Sequence, residues 1–182
     1  MSFHPTTQRL ILRAPTLTDM PSCVAILNDF DVAKNLQQVP HPFTDLLFVE
    51  ALTRTDQERR DGSAFRLAVT RAMDGALIGM CSAERGERGA WEFGYWYGKP
   101  YWGQGYATEA AWPMIRFAFE DLAAESLTAG WFDDNPASGA VLHKLGFAIT
   151  SVASVPCLAR GYEVLSNRTR LTRDGFARKK AA

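Results

Sequence analysis

Hydrophobic and polar positions change period several times along the chain, and each change marks an element. Leu10 to Arg13 is a short β-prone stretch that ends before Pro15. The run L-T-D-M-P-S then opens a helix, with Thr18 as the expected N-cap and Pro21 in the first turn, where a missing N–H is tolerated. Met20, Val24 and Leu27 recur at helical spacing and should face the core. A loop, N-L-Q-Q-V-P-H-P-F-T, leads to a second helix at about Asp45 to Asp61, whose charged end closes at Gly62. Phe65, Leu67 and Val69 alternate with smaller or polar neighbours, which is a strand period of two. Met73-Asp74-Gly75 turns the chain, Leu77 to Cys81 returns as the next strand of a meander, and Glu84 to Gly89 form a charged loop.

The next strand is aromatic. In W-E-F-G-Y-W-Y, Trp91, Phe93, Tyr95 and Tyr97 share one face, while Glu92, Gly94 and Trp96 share the other. The stretch Y-W-G-Q-G-Y-A-T-E-A, Tyr101 to Ala110, follows it and opens a helix of roughly sixteen residues that propensity starts at Ala107. Ala107, Ala111, Met114, Ala118 and Leu122 form its apolar stripe, and Pro113 should remove one hydrogen bond and bend it. Leu127 to Trp131 is a strand broken by Asp133-Asp134-Asn135-Pro136; Ala137 to Leu145 is a short helix ended by Gly146. Phe147 to Val155 and Tyr162 to Leu171 read as two strands around a loop holding Pro156 and Gly161. The order β-α-α-β-β-β-α-β-α-β-β predicts an α/β (α+β) fold, a mixed sheet with helices on both sides, in a single domain over residues 1–182.

Composition narrows the function classes. At 182 residues, 47% apolar and 22% charged, the chain is globular and can bury a full core. Twenty basic residues balance twenty acidic ones, so nothing in the charge predicts nucleic-acid binding. Arg178, Lys179 and Lys180 read as a solvated basic end. Cys23, Cys81 and Cys157 are odd in number and widely spaced, which supports neither a disulfide framework nor a metal site. A reducing, cytoplasmic setting is expected, with no signal peptide and no membrane span.

The candidate chemistry lies in the glycine-rich turn. A strand, a turn with Gly103 and Gly105, and a helix N-terminus make an anion site, because free N–H groups and the helix dipole point into the turn. The anion is read as the pyrophosphate of a nucleotide-like cofactor. No G-x-x-x-x-G-K-[ST] occurs, and G-Q-G-Y-A-T puts Thr108 where a dinucleotide fingerprint needs its third glycine.

Here a resemblance enters. The chain resembles the GNAT superfamily of acetyl-CoA-dependent N-acetyltransferases, in its RimJ/RimL-type ribosomal-protein branch. One signature, R/Q-x-x-G-x-G/A, stands as Trp102-Gly103-Gln104-Gly105-Tyr106-Ala107, with Trp102 in place of Arg or Gln. A second, N-x-x-S-x-x-V-L-x-K-L-G-F, stands as Asn135, Ser138, Val141, Leu142, Lys144, Leu145, Gly146 and Phe147. The likeness covers about residues 8 to 171, and R-L-I-L-R-A-P-T-L-T-D and P-H-P-F-T match more loosely.

The resemblance implies a mostly antiparallel sheet of about seven strands and acetyl-CoA as cosubstrate, with no metal. Backbone N–H groups from Gly103 to Thr108 would hold the pyrophosphate, and the pantetheine arm would pair like a strand with the end of Trp91–Tyr97. Cofactor contacts are expected from Trp96, Tyr97, Trp102, Gly103, Gln104, Gly105, Tyr106, Ala107, Thr108, Asn135, Ser138 and Lys144. Glu92 is either the general base, acting through water, or a structural ion-pair partner. Ser138 is either the proton donor to the thiolate or a helix-start serine bonding locally. The tyrosine that many relatives use as acid is replaced by Leu142. Asn135 reaches the pantetheine amides or caps its helix, and a backbone N–H near Trp96 or Tyr97 would meet the oxyanion. Glu84 is a second candidate base, Glu109 a structural residue of the first helical turn, and His143 an exposed helix residue. His41, Pro42 and Phe43 would border the acceptor cleft, while Trp91, Tyr95 and Tyr97 belong with the core.

The expected acceptor is a primary amine, best a protein N-terminal α-amino group. A small-molecule amine such as an antibiotic, amino acid or polyamine is the alternative, and a non-catalytic CoA-binding module is a further one. The chain would act as a monomer or homodimer.

Overall fold

The computed structural model describes residues 3–86 and 90–181. Its strands are β1 (Leu10–Arg13), β2 (Ala64–Arg71), β3 (Leu77–Arg85), β4 (Trp91–Tyr97), β5 (Ser126–Phe132), β6 (Ala148–Cys157) and β7 (Tyr162–Thr172). Its helices are α1 (Met20–Leu27), α2 (Phe30–Ala33), α3 (Asp45–Asp61), α4 (Tyr106–Glu120), α5 (Pro136–Lys144) and α6 (Arg173–Ala181). All seven strands join one sheet in the order β1-β2-β3-β4-β5-β7-β6. Every neighbouring pair is antiparallel except β4 with β5, which run parallel. The expected mixed, mostly antiparallel sheet with helices on both faces is therefore present.

Period-two alternation divides the sheet between two cores. Leu67 and Val69 of β2, Trp91, Phe93 and Tyr97 of β4, and Leu127 of β5 face one side, where Ala111, Met114 and Ala118 of α4 bury them. The expected stripe of α4 holds at Ala111, Met114 and Ala118, with Ala107 half-buried, whereas Leu122 lies past the helix end at Glu120; Ala110, Ile115, Phe117 and Phe119 are buried too, so this helix is covered on more than one face. It runs without interruption through Pro113. On the opposite side, Ala68, Leu77, Met80 and Trp96 pack with Cys23 and Leu27 of α1 and Phe48 of α3.

Several boundaries differ from expectation for local reasons. The first helix is not capped by Thr18. A single 3-10 turn, Leu17–Asp19, precedes α1, and Thr16 begins it. The Asp19 carboxylate accepts from the Thr16 N–H at 2.8 Å and from both arms of the Arg13 guanidinium at 2.6 and 2.8 Å. The loop before α3 contains the short helix α2, whose Asp29 N-cap accepts from the Asp31 N–H. Strand β3 continues to Arg85, so Glu84 lies in the sheet, while residues 87–89 of the expected charged loop lie outside the described residues. Pro156 belongs to the edge strand β6, where a missing N–H is tolerated. The basic end is not a loose solvated tail: it is helix α6, docked by buried Phe176 stacked on Phe119 and by a Lys180–Glu120 ion pair of 2.6 Å.

The Asp19 side chain is only 5% exposed. Burial by itself would raise its carboxyl, but the Arg13 fork and the Thr16 donors outweigh this and hold it below the usual range. A lowered folded-state value means stability that is full above the unfolded carboxylate range and is lost as pH falls through the folded value. Asp19→Asn should therefore cost about 2 kcal/mol near neutral pH. Chemical denaturation at a series of pH values should show the gap from the native chain closing below about pH 4.

Candidate active site

The site is organised by a wedge between two strands. Parallel strands β4 and β5 pair at Trp91 with Leu127 and at Glu92 with Thr128, and then separate. From Phe93 to Tyr97, β4 keeps its antiparallel partner β3 but has none on the β5 side. Apart from the Tyr97 carbonyl, which a side chain takes, backbone groups turned toward β5 are left open to an extended ligand with amide groups of its own.

The glycine turn stands at the open end of this wedge. Gly103 and Gly105 both have positive φ, 72° and 81°, which side chains resist, and Gly105 is the N-cap of α4. The helix therefore begins at Tyr106, one residue before the expected start. The first N–H satisfied within it is that of Glu109, bonded to the Gly105 carbonyl at 3.0 Å. The N–H groups of Tyr106, Ala107 and Thr108 have no acceptor among the described residues. Three orphan donors at a helix N-terminus fit a pyrophosphate.

The side chains of the turn do other work. The Trp102 indole N–H donates to the Tyr97 carbonyl at 2.7 Å, and the Gln104 amide donates to the Pro100 carbonyl at 2.7 Å. Tyr106 is buried, with the Arg9 guanidinium 4.4 Å from its ring centre. Arg9 also donates to the Gln104 carbonyl at 3.0 Å and, with Thr7, to the Glu109 carboxylate at 2.6 Å each. Glu109 thus has the structural role expected of it. Thr7 and Arg9 were missed because they lie about a hundred residues from their partner, and no local pattern joins them.

Glu92 sits where the strands part, on the α1/α3 side of the sheet. Its side chain is 54% exposed, with Arg168 Nη1 at 4.0 Å. Partial burial pushes its carboxyl up, Arg168 pulls it down, and Glu84, its cross-strand neighbour on β3, adds to the rise. The net upward direction suits a base that must take a proton near neutral pH. Glu84 is differently placed: Arg66 holds both its oxygens, at 2.5 and 3.1 Å, and Ser82 donates to it at 2.9 Å. Its lone pairs are committed, which leaves Glu92 as the free carboxylate of the pair.

Ser138 approaches from the other face, on the first turn of α5. Asn135 caps this helix, its Oδ1 accepting from the Ser138 N–H at 3.3 Å. The helix can lie close to β5 because residue 139 is glycine, where a Cβ would fall 2.7 Å from the Trp131 ring. The Tyr95 and Ser138 hydroxyls are hydrogen-bonded at 2.8 Å, a partnership the core assignment of Tyr95 did not foresee. Leu142 is buried, and His143 and Lys144 are exposed on the last turn.

The structure brings Glu92, Trp96, Tyr97, Asn135 and Ser138 around the wedge and lines residues 102–108 along its mouth. It separates the two expected acceptor residues. Phe43 is buried with Val32 and Phe48, whereas His41 is exposed, bonded to the Asn28 carbonyl at 3.2 Å and edge-on to Phe30. Among the described residues, no group of three His, Cys, Asp or Glu side chains could hold a metal ion, and no helix is long and apolar enough to cross a membrane.

Comparison with known proteins identifies the family and the fold. A model of the acetyltransferase (GNAT) domain matches residues 9–148. An uncharacterized N-acetyltransferase, p20 of Bacillus licheniformis, is 28% identical over 144 residues, covering 78% of this chain and 80% of its own. The ribosomal-protein-S5-alanine acetyltransferase of Vibrio fischeri superposes with a TM-score of 0.78 at 22% identity, over 94% of this chain and 97% of that one. The spermidine N-acetyltransferase of Vibrio cholerae, in complex with CoA and spermine, does so with a TM-score of 0.79 at 17% identity, over 94% and 99%. Both structures share the fold. With a family model spanning most of its length, this chain belongs to the GNAT family of acetyl-CoA-dependent N-acetyltransferases.

Proposed function

We propose that the enzyme acetylates the α-amino group of a protein N-terminus, in the manner of a RimJ/RimL-type enzyme. The observation that carries this reading is the pairing of carboxylates around the wedge. Glu84 is held by Arg66, Asp134 by Arg160 at 2.6 Å and Asp31 by Lys34 and Lys99 at 2.5 and 2.6 Å, while Asp133 has only the Asn167 amide, at 3.1 Å, and Glu92 has Arg168 at 4.0 Å. Neutralised acids offer little to a polycation, whereas the half-exposed Glu92 can serve one amine at a chain end. The likeness to a ribosomal-protein-S5-alanine acetyltransferase supports the same class of acceptor. The likeness to a spermidine N-acetyltransferase supports the rival, a small polyamine.

In this reading the backbone N–H groups of residues 103–108 hold the pyrophosphate, and the free edge of β4 holds the pantetheine amides. Glu92 takes a proton from the attacking amine through one water, and Ser138 gives a proton to the departing thiolate. A backbone N–H of Trp96 or Tyr97 faces the oxyanion, and His41 meets the acceptor. Acetyl-CoA, when bound, supplies the activated acyl group.

A thiol-release assay with acetyl-CoA should show turnover on peptides with a free N-terminus and none on spermidine; turnover on spermidine alone would overturn the acceptor assignment. Glu92→Gln should lower kcat about 100-fold and leave the acetyl-CoA Kd unchanged. An unaltered kcat would return Glu92 to a structural role. Gly105→Val places a β-branched residue at positive φ, at a cost of about 1–2 kcal/mol. Its Cβ would make only ordinary contact with Arg9, at 3.5 Å, so the fold should survive. Calorimetry should record at least a tenfold loss of acetyl-CoA affinity, since each 1.4 kcal/mol is tenfold.

A further inference from the structure

Alternation along β4 turns Tyr95 toward the aromatic core, and its ring packs at 5.5 Å from Phe93 and 6.1 Å from Tyr97. Its hydroxyl nevertheless ends at Ser138, 2.8 Å from Oγ and 3.2 Å from the carbonyl oxygen. The two residues come from opposite walls of the wedge. Tyr95 lies on β4, past the last residue that pairs with β5, and Ser138 lies on the helix that β5 leads into. Where the backbones no longer meet, this pair of hydroxyls spans the gap.

Both partners are fixed. The Tyr95 ring is held by its aromatic neighbours, and α5 is held by the Asn135 cap and by the close approach of Gly139 to Trp131. A serine hydroxyl has one proton and two acceptor lone pairs. On the first turn of a helix it commonly spends that proton on nearby backbone, where it is useless for chemistry. The phenolic O–H has both oxygens of Ser138 within reach; given to Oγ, the nearer one, it occupies a lone pair and leaves the serine proton to point at another acceptor. Burial pushes the Tyr95 phenol up to about 12, against a smaller downward pull from Ser138, so it keeps its proton across the neutral range.

We propose that Tyr95 is a positioning residue for the acetyl transfer: its phenolic O–H donates to Ser138 Oγ and so directs the Ser138 O–H at the departing sulfur. The inference rests on Ser138 being the proton donor. As the C–S bond breaks, its electron pair goes to sulfur, which takes the Ser138 proton; Oγ, still held by the Tyr95 O–H, takes a proton from water, and the hydroxide left behind is neutralised by the proton that the amine releases. The proton lost by the amine leaves separately, through Glu92. Because the same bond joins the two walls, Tyr95 also fixes their spacing at the level of the reacting thioester.

The test is a double-mutant cycle on the full chain with Tyr95→Phe, Ser138→Ala and the double variant, measuring kcat, the acetyl-CoA Kd by calorimetry and thermal unfolding. Phe keeps the ring, so Tyr95→Phe should fold and bind acetyl-CoA within about twofold of the native chain. Each single variant should lose at least tenfold in kcat, and the double variant should be no slower than Ser138→Ala. Ser138→Thr, which keeps a hydroxyl, should recover part of the rate and lose it again on adding Tyr95→Phe. A native kcat in Tyr95→Phe, fully additive losses, or a Kd that weakens in step with kcat would overturn the proposal while leaving Ser138 as the donor. A native kcat in Ser138→Ala would instead overturn the donor assignment, and the proposal with it.

Discussion

Strands β4 and β5 begin as parallel neighbours and part after two paired positions, Trp91 with Leu127 and Glu92 with Thr128. A sheet cannot leave backbone amides unpaired at its centre without a substitute partner, because each buried, unmatched group carries a desolvation cost. The divergence is the feature on which the proposed binding of an extended chain with amides of its own rests. The halves on either side keep the gap open. The β1-β2-β3-β4 meander holds one wall, and the antiparallel β5-β7-β6 set holds the other. Across the gap, contact passes to side chains, with the Tyr95 and Ser138 hydroxyls at 2.8 Å.

Chemistry and architecture meet at the two ends of this wedge. At its apex Glu92 is the carboxylate left without a close partner, because Arg66 has already taken Glu84 beside it. At its mouth the turn is shaped by positive φ at Gly103 and Gly105 and braced from outside by Arg9, which grips the Gln104 carbonyl and the Glu109 carboxylate together. That brace directs the turn's acceptors and acid inward to protein partners. The orphan N–H groups of Tyr106, Ala107 and Thr108 remain as what the turn offers a ligand.

The sequence was legible where one period governed a whole element. The two faces of β4, the apolar stripe of α4, the meander and the caps at Gly62 and Asn135 all follow from local spacing, and the structure has them. It was less legible where charge masked a pattern. Strand β3 keeps its alternation through Ser82 and Glu84, but the run of charges reads as a loop until Arg66 is seen to neutralise Glu84. Helix α6 carries Arg178, Lys179 and Lys180, and its one large apolar anchor, Phe176, gains meaning only from Phe119 beneath it. Phe43 and His41 stand two residues apart in one loop, yet one is buried and the other exposed, which spacing alone could not separate.

By itself the sequence determined the order of elements, the glycine turn with its helix N-terminus, and the positions of Glu92, Asn135 and Ser138 on a strand and a helix start. These follow from steric and hydrogen-bonding preferences acting over a few residues. Tertiary structure alone decided which carboxylate stays free, which hydroxyl meets Ser138 and what braces the turn. Those outcomes depend on residues 18 to 102 positions apart brought together by the tertiary fold, a constraint on the whole chain that no local pattern contains.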